Sequence, residues 1–364
     1  MRQNRSSPLL MAGVAVFLLF CGGMLVGTWF DLEIDKALFS YSCGWAQFLE
    51  RFGSFPAQFV RPLACSALLS TFRDPSRALD ALGRELPVIR RICSAETLRR
   101  CCVILYCFLY GALFFAAFYG VHQGIVFFFP GAMAFRDLLT LTGRDFLLSG
   151  ALWGLVRLVP VLLAVLLLRR LPREILSHVV KLAVAGLLVE FSYPVIELLK
   201  HLFHRVRFRE MIAYSHGLVN GKGWSSIGGA DLPRAWIADA DFSAFTPWYR
   251  FGNPMGRYSA ATSFPSGHTA AAAYSLLLIP LFAGEQTLRS HTVFAVAVSV
   301  GYTALVGVSR LVRGAHYLTD VCGAALILFS IILLWYWIVC RIFSALKNRR
   351  ERCPAPMISG AEHR

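Results

Sequence analysis

The chain has 364 residues, 57% of them hydrophobic and only 16% charged, with a mean hydropathy of +0.58 and a formal net charge of +15. Soluble domains carry roughly 45–50% apolar and about 25% charged residues, so the composition excludes an ordinary soluble protein and points to an integral membrane protein. The excess of Lys and Arg would suit nucleic acid, but it falls in short segments beside apolar runs, the pattern of loops held at a cytoplasmic surface, and nucleic-acid binding is not predicted.

A helix crosses a bilayer core with about 20 mostly apolar residues. The first such run is 9–29; no small-x-small site follows it, and Phe20 stands before Cys21 where a lipoprotein signal needs a small residue, so it reads as an uncleaved helix. Residues 54–72 are a weaker candidate, carrying Gln58 and Arg61 and broken by Pro56 and Pro62. Further runs lie at 101–121, 146–168, 179–199, 267–282, 292–308 and 317–340. The segment 73–100 carries Arg77, Arg84, Arg90, Arg91 and Arg99; the linker 169–173 holds Arg169, Arg170 and Arg173; the tail holds Lys347, Arg349 and Arg350. All three reach the cytoplasm, together with Arg2 and Arg5, only if 54–72 also crosses. The prediction is eight crossings with both termini inside. The fold class is all-α, a polytopic membrane helical bundle, with N-terminal helices and a basic linker over 1–100, a core over 101–345 and a basic cytoplasmic tail over 346–364.

The ten cysteines are scattered. Cys21, Cys65, Cys107, Cys322 and Cys340 fall inside apolar runs as small hydrophobes do. Cys101 and Cys102 have no second pair at metal-ligand spacing, so neither a zinc site nor a C-x-x-C redox centre is predicted. Cys43 alone falls on the outer side, against a disulfide framework.

Under this topology the polar segment 201–264 and the turn from Arg310 to His316 share the extracytoplasmic face, so three clusters of polar residues meet there. In the first, Lys200 and Arg207 are seven apart; on one helix they would share a side and clamp a phosphoryl group, Arg by its planar fork and Lys as a point charge. In the second, Pro265-Ser266-Gly267-His268-Thr269 opens an Ala-rich helix. Its N-terminus offers unpaired N–H groups, Ser266 a hydroxyl, Gly267 a backbone donor and His268 a proton for a departing oxygen. In the third, His316 and Asp320 are four apart, so a helix starting near His316 would set them on one face, the carboxylate fixing the imidazole as nucleophile or base, with Arg310 completing the cationic cradle. Each cluster alone has a plainer reading: interfacial anchoring for Lys200 and Arg207, a Ser cap beside an incidental His, a polar His–Asp contact.

Taken together, Lys200 to Arg207, Pro265 to His268, and Ser309-Arg310 with His316 and Asp320 resemble, in order and spacing, the signature K-x6-R-P, P-S-G-H and S-R-x5-H-x3-D of the type 2 phosphatidic acid phosphatase and vanadium haloperoxidase superfamily. Phe208 departs from the pattern, standing where the first motif has proline. The resemblance implies a six-helix phosphatase core over about 101–340, preceded by about two helices. It implies metal-independent hydrolysis of a phosphoester or pyrophosphate, with no cofactor. By the same resemblance His316 is the nucleophile that forms a phosphohistidine, Asp320 orients it, His268 protonates the leaving group, and Lys200, Arg207, Ser266, Gly267 and Arg310 hold the phosphate oxygens.

The expected activity is removal of phosphate from a lipid phosphate or polyprenyl pyrophosphate at the extracytoplasmic face of a bacterial plasma (inner) membrane, the partners being the bilayer and its lipid. The rivals are a lipid phosphotransferase using the same site, a haloperoxidase holding vanadate in the cradle, and a non-catalytic lipid binder or transporter. Arg157 with Pro160 and Glu190 with Pro194 read as polar contacts or kinks between membrane helices. Arg313 reads equally as a headgroup contact or a surface residue. The loop 208–264 carries Trp224, Gly228, Gly229, Trp236, Phe242, Phe245, Trp248 and Tyr249; interfacial contact is the default reading of these aromatics, and a headgroup-selecting lid the sharper one.

Overall fold

A computed structural model describes residues 8–57, 60, 173–218, 232–251 and 262–352. The predicted crossings at 101–121 and 146–168, nearly all of 54–72, the basic linkers 73–100 and 169–172, Arg157, Pro160, Trp224, Gly228, Gly229 and the tail beyond 352 lie outside the described residues. What is described is helical: α1 Pro8–Leu38, α2 Gly44–Phe52, α3 Arg173–Ser192, α4 Pro194–Phe203, α5 Phe208–Ser215, α6 Gly267–Ala273, α7 Leu278–Gly284, α8 Thr292–Val312 and α9 Leu318–Arg352. A 3-10 turn, Tyr274–Leu277, joins α6 to α7.

Among the described residues five stretches are long and apolar enough to cross a membrane: Pro8–Leu38, Ser177–Phe203, Gly267–Gly284, Arg289–Val312 and Leu318–Ala345. They correspond to the predicted runs at 9–29, 179–199, 267–282, 292–308 and 317–340, and the chain is an all-helical integral membrane protein. The first helix differs from expectation. Its apolar run ends at Trp29, yet the helix continues to Leu38 because Asp31 and Asp35, four apart on one face, are buried in the protein.

The chain divides into two compact units, residues 1–60 with 186–335 and residues 61–185 with 336–364. In the first unit, the core gathers Val16 and Phe20 of α1, Val189 of α3, Tyr274, Leu276, Ile279, and Leu328, Phe329 and Ile332 of α9. Gly23 and Gly27 let α1 lie close against α9: a Cβ at Gly27 would stand 2.8 Å from Thr319 Cγ2 and one at Gly23 would overlap the Cys322 sulfur. Small residues four apart are how membrane helices bring backbones together. Phe17, Leu18, Leu25, Trp29, Val293 and Phe294 face outward, as side chains in lipid contact do. In the second unit the described residues are the start of α3 and the end of α9, where the His178 ring meets Tyr336 edge-on at 6.0 Å and Lys181 Nζ sits 5.9 Å over the Phe343 ring.

The polar loop folds back onto the protein. A second core of Phe39, Val206, Phe208, Met211, Ile212, Leu232, Ala244 and Tyr317 lies at one end of the first unit, with Trp236, Phe242 and Phe245 packed on it. Phe242 stacks on Phe208 at 5.2 Å, Phe245 meets Tyr317 edge-on at 5.3 Å, and Trp248 Nε1 donates to Thr28 Oγ1 at 2.9 Å. These aromatics hold the residues around the site; Tyr249 and Phe251 are the exposed ones. The eight residues of α5 span only about 12 Å, too short for a crossing.

Candidate active site

The ends of α1, α4, α6, α8 and α9 converge on His316, in the turn between α8 and α9, which is 4% exposed. His316 Nδ1 lies 2.6 Å from the carbonyl oxygen of Ser263. A carbonyl only accepts, so Nδ1 carries the proton and Nε2 keeps its lone pair. Asp320, in the first turn of α9, stands 3.8 Å from Nδ1, beyond a hydrogen bond, and acts on the ring through its charge. Burial pushes the His316 imidazole down to about 3, the Arg310 and Arg207 cations add to the effect, and Asp320 opposes it. At neutral pH the ring is therefore neutral, the form in which Nε2 is a nucleophile.

Asp320 is fully buried, and its own oxygens are taken up elsewhere. Oδ1 accepts from Arg205 Nη1 at 2.6 Å; Oδ2 accepts from the Ser263 hydroxyl at 2.5 Å and from the Tyr317 N–H at 2.9 Å. Arg205 is 1% exposed and uses its whole fork. Nη1 also donates to Thr319 Oγ1 at 2.7 Å, Nη2 to Asp31 Oδ2 at 2.8 Å and Nε to the Thr246 carbonyl at 2.7 Å, while the guanidinium carbon lies 4.1 Å from the Tyr317 ring centre. Burial alone would discharge it; Asp320 and Asp31 outweigh that and raise its pKa above the ordinary arginine value. Asp31 also accepts from Thr319 N at 3.0 Å and from the Thr319 hydroxyl. Sequence reasoning missed both Arg205 and Asp31. The signal for Asp31 was its i,i+4 pairing with Asp35 at the end of an apolar run; for Arg205 it was a second arginine, two residues from Arg207, inside the first motif.

On the facing side, Lys200 and Arg207 do not share a helix, contrary to expectation. α4 ends at Phe203, His204 takes a left-handed conformation with φ 46°, and Arg207 is the extended residue that precedes α5. The turn brings them to the site separately. Lys200 Nζ pairs with Glu197 at 2.7 Å and lies where a Cβ at Gly267 would come within 2.7 Å, so only glycine leaves room for the ammonium there. Arg207 Nη2 donates to Thr262 Oγ1 at 3.0 Å, and Glu210 accepts from the Arg207 backbone N–H at 3.3 Å; the Arg207 Nε is buried without a hydrogen-bond partner among the described residues.

Ser266 caps α6. Its oxygen accepts from Thr269 N at 3.3 Å and from the Thr269 hydroxyl at 2.9 Å, which leaves its own O–H to donate elsewhere. Its N–H donates to the Asp320 carbonyl at 3.0 Å and ties α6 to α9. Tyr193 donates its hydroxyl to the Gly267 carbonyl at 3.1 Å. His268, half-buried, lies within electrostatic reach of Arg310, His316, Glu50 and Lys200. Arg310, in the last turn of α8 and 2% exposed, donates Nη2 to Glu50 Oε1 at 2.9 Å. Glu50, from α2, also takes Arg209 at 3.2 Å and Arg313 at 2.8 Å. Arg313 is thereby a buried residue stacked 3.7 Å over Tyr41, neither exposed nor free. Burial works to raise the Glu50 carboxyl, but Arg310, Arg209 and Arg313 hold it well below the usual carboxylate range.

A neutral imidazole beside a carboxylate, a hydroxyl and helix N-terminus, a second histidine and several cations gather here, donors and charges of the kind that suit an anionic group. Residues 174–343, which contain all of these candidates except Glu50 and Asp31, match the model of the PAP2 superfamily. The chain is also similar to phosphatidylglycerophosphatase B of Bacillus subtilis (strain 168), 31% identical over 97 residues, or 26% of this chain and 46% of that protein. It thus spans about half the length of the curated relative it matches. No solved structure matches the chain.

Proposed function

We propose that the protein is a membrane lipid phosphatase that removes a phosphoryl group from a lipid phosphate or polyprenyl pyrophosphate through a phosphohistidine, at the extracytoplasmic face of a bacterial inner membrane. The observation that carries the reading is the commitment of His316 Nδ1 to the Ser263 carbonyl, which leaves a neutral Nε2 beside the cations of Arg310 and Arg207. Nε2 attacks phosphorus, the bond from phosphorus to the lipid oxygen breaks, and His268 gives that oxygen its proton. Asp320 stabilises the imidazolium character that develops on His316. In the second half His268 takes a proton from water, which attacks the phosphohistidine and releases inorganic phosphate. Lys200, Arg207, Ser266, Gly267 and Arg310 hold the phosphoryl oxygens, whose spread charge needs several donors.

The membrane supports the substrate class. A site at helix ends beside the headgroup layer takes an anchored phosphate laterally, without drawing the chain into water. The Lys and Arg distribution supports the extracytoplasmic side. The name of the Bacillus subtilis relative puts phosphatidylglycerophosphate first among the substrates to try.

The test is phosphate release by purified protein, with EDTA present, from phosphatidylglycerophosphate, phosphatidic acid, undecaprenyl pyrophosphate and lipid A. Turnover by the wild type that falls at least about a thousandfold in His316→Ala is the expected result, the scale on which loss of a nucleophile acts. No turnover on any of the four, or equal turnover by the variant, overturns the proposal. Phosphate release that falls as a lipid acceptor is added identifies a phosphotransferase instead.

A further inference from the structure

We infer that Glu50, which lies outside the superfamily match, is a positioning residue that aims the Arg310 guanidinium at the transferred phosphate; the inference rests on the phosphatase reading above. Glu50 shares one carboxylate among three arginines, Oε1 accepting from Arg310 Nη2 at 2.9 Å and Arg209 Nη1 at 3.2 Å, and Oε2 from Arg313 Nε at 2.8 Å. A guanidinium has five N–H donors in a rigid plane. Fixing Nη2 therefore fixes the direction of the rest. Arg310 Nε and Nη1 are buried without a hydrogen-bond partner among the described residues. Buried donors are ordinarily paired, so two left open on a residue of the phosphate cradle are donors available to an anion.

Charge and anchoring agree with this role. Three guanidiniums against one carboxylate leave this quartet with two positive charges, the sign and size that suit a dianionic phosphoryl group. Glu50 is itself held in place. After α2, the Gly53 carbonyl accepts from the Tyr302 hydroxyl of α8 at 3.2 Å; before it, Ser40 N donates to the Val312 carbonyl at 2.8 Å, and Arg313 stacks on Tyr41. The segment before the superfamily match thus braces α8 at both ends of α2, at Tyr302 and at Val312, the latter two residues from Arg310. A site keeps its geometry only when the residues behind it are fixed in this way.

A carboxylate that merely neutralised buried arginines would stabilise the fold and nothing more. The inhibition constant of vanadate separates the two roles, because it does not depend on how much of a preparation is folded. Vanadate takes the five-coordinate form of the phosphoryl transition state and engages the same donors. The full-length wild type, His316→Ala, Glu50→Gln and Glu50→Asp are compared on the substrate the wild type turns over. Glu50→Gln is expected to weaken vanadate inhibition about tenfold or more and to lower kcat by about 10- to 100-fold. Inhibition by inorganic phosphate, a ground-state ligand, changes much less. Glu50→Asp keeps the charge but withdraws it by one methylene, and gives a smaller loss of about three- to tenfold; it carries the test if the Gln variant does not fold. A vanadate constant within about twofold of wild type in the folded variants overturns the inference while leaving the phosphatase reading intact. Absence of turnover in the wild type overturns both.

Discussion

Replacing Arg205 with methionine removes the cation that stands behind Asp320 and His316 while keeping most of its volume. The guanidinium makes four hydrogen bonds, two of them to the buried carboxylates of Asp31 and Asp320. Taking one partner from a buried ion pair destabilises by about 3–5 kcal/mol. Here two carboxylates lose the same partner, while Asp320 keeps the Ser263 hydroxyl and the Tyr317 N–H and Asp31 keeps Thr319. A loss of about 5 kcal/mol follows, comparable to the low end of the whole margin of a folded domain, about 5–15 kcal/mol. At about 2–4 °C per kcal/mol the midpoint falls by about 10–20 °C. The assay is thermal unfolding in mild detergent, read by size exclusion at a fixed heating rate. Adding Asp31→Asn to Arg205→Met removes one stranded charge and recovers about 2 kcal/mol, although Asp31→Asn alone is destabilising. A single variant within 2 °C of wild type, or a double variant worse than either single one, would refute the reasoning.

Gly267→Ala places a methyl 2.7 Å from Lys200 Nζ, the far end of a flexible chain, so the ammonium moves by about 1 Å and the fold hardly notices. The melting midpoint stays within about 2 °C, while kcat/KM falls by about 10- to 100-fold, the scale on which such misplacement acts; steady-state kinetics beside a melting curve check both halves. The pH dependence follows from His316. Its pKa of about 3 in the folded protein, against 6.5 when unfolded, means that between those values the unfolded chain binds the extra proton, so the stability this residue preserves at neutral pH is lost progressively as pH falls from 6.5 towards 3. His316→Gln lacks that loss, and the stability difference between the two proteins shifts towards the variant by about 2 kcal/mol from pH 7 to pH 5. Melting curves at the two values that run parallel would contradict the neutral imidazole.

The parts of this molecule legible in its sequence are those governed by local pattern. Apolar runs long enough to cross a bilayer mark five described helices within a few residues at most ends, and the spacing of Lys200, Ser266, Arg310 and His316 marks one end of the bundle. Three features escaped, each for a physical reason. The separation of Lys200 from Arg207 depends on the left-handed turn at His204, a conformation uncommon for any residue with a side chain and so not read from a single histidine. Asp320 resembles the direct partner of His316 because the two are four apart, but helix α9 begins at Leu318, after His316, and the Ser263 carbonyl takes the ring nitrogen instead. The ionic partners of Arg205 and Arg310 stand 174 and 260 residues away in sequence, at Asp31 and Glu50. No spacing rule reaches that far.

The tie between Asp31 and Arg205 also imposes an order of events on biosynthesis. The first helix leaves the ribosome 174 residues ahead of the arginine that neutralises its buried carboxylate. At about 5–20 residues per second the interval is about 10–35 s. During that time Asp31 has neither Arg205 nor Thr319 beside it and Asp35 is not yet enclosed, and a bare carboxylate is not stable in hydrocarbon. Their place at the end of α1, after Trp29 and within two turns of Leu38, lets that end of the helix wait in the headgroup layer. It closes over the carboxylates only when the later helices arrive, so α1 is threaded early and seated late.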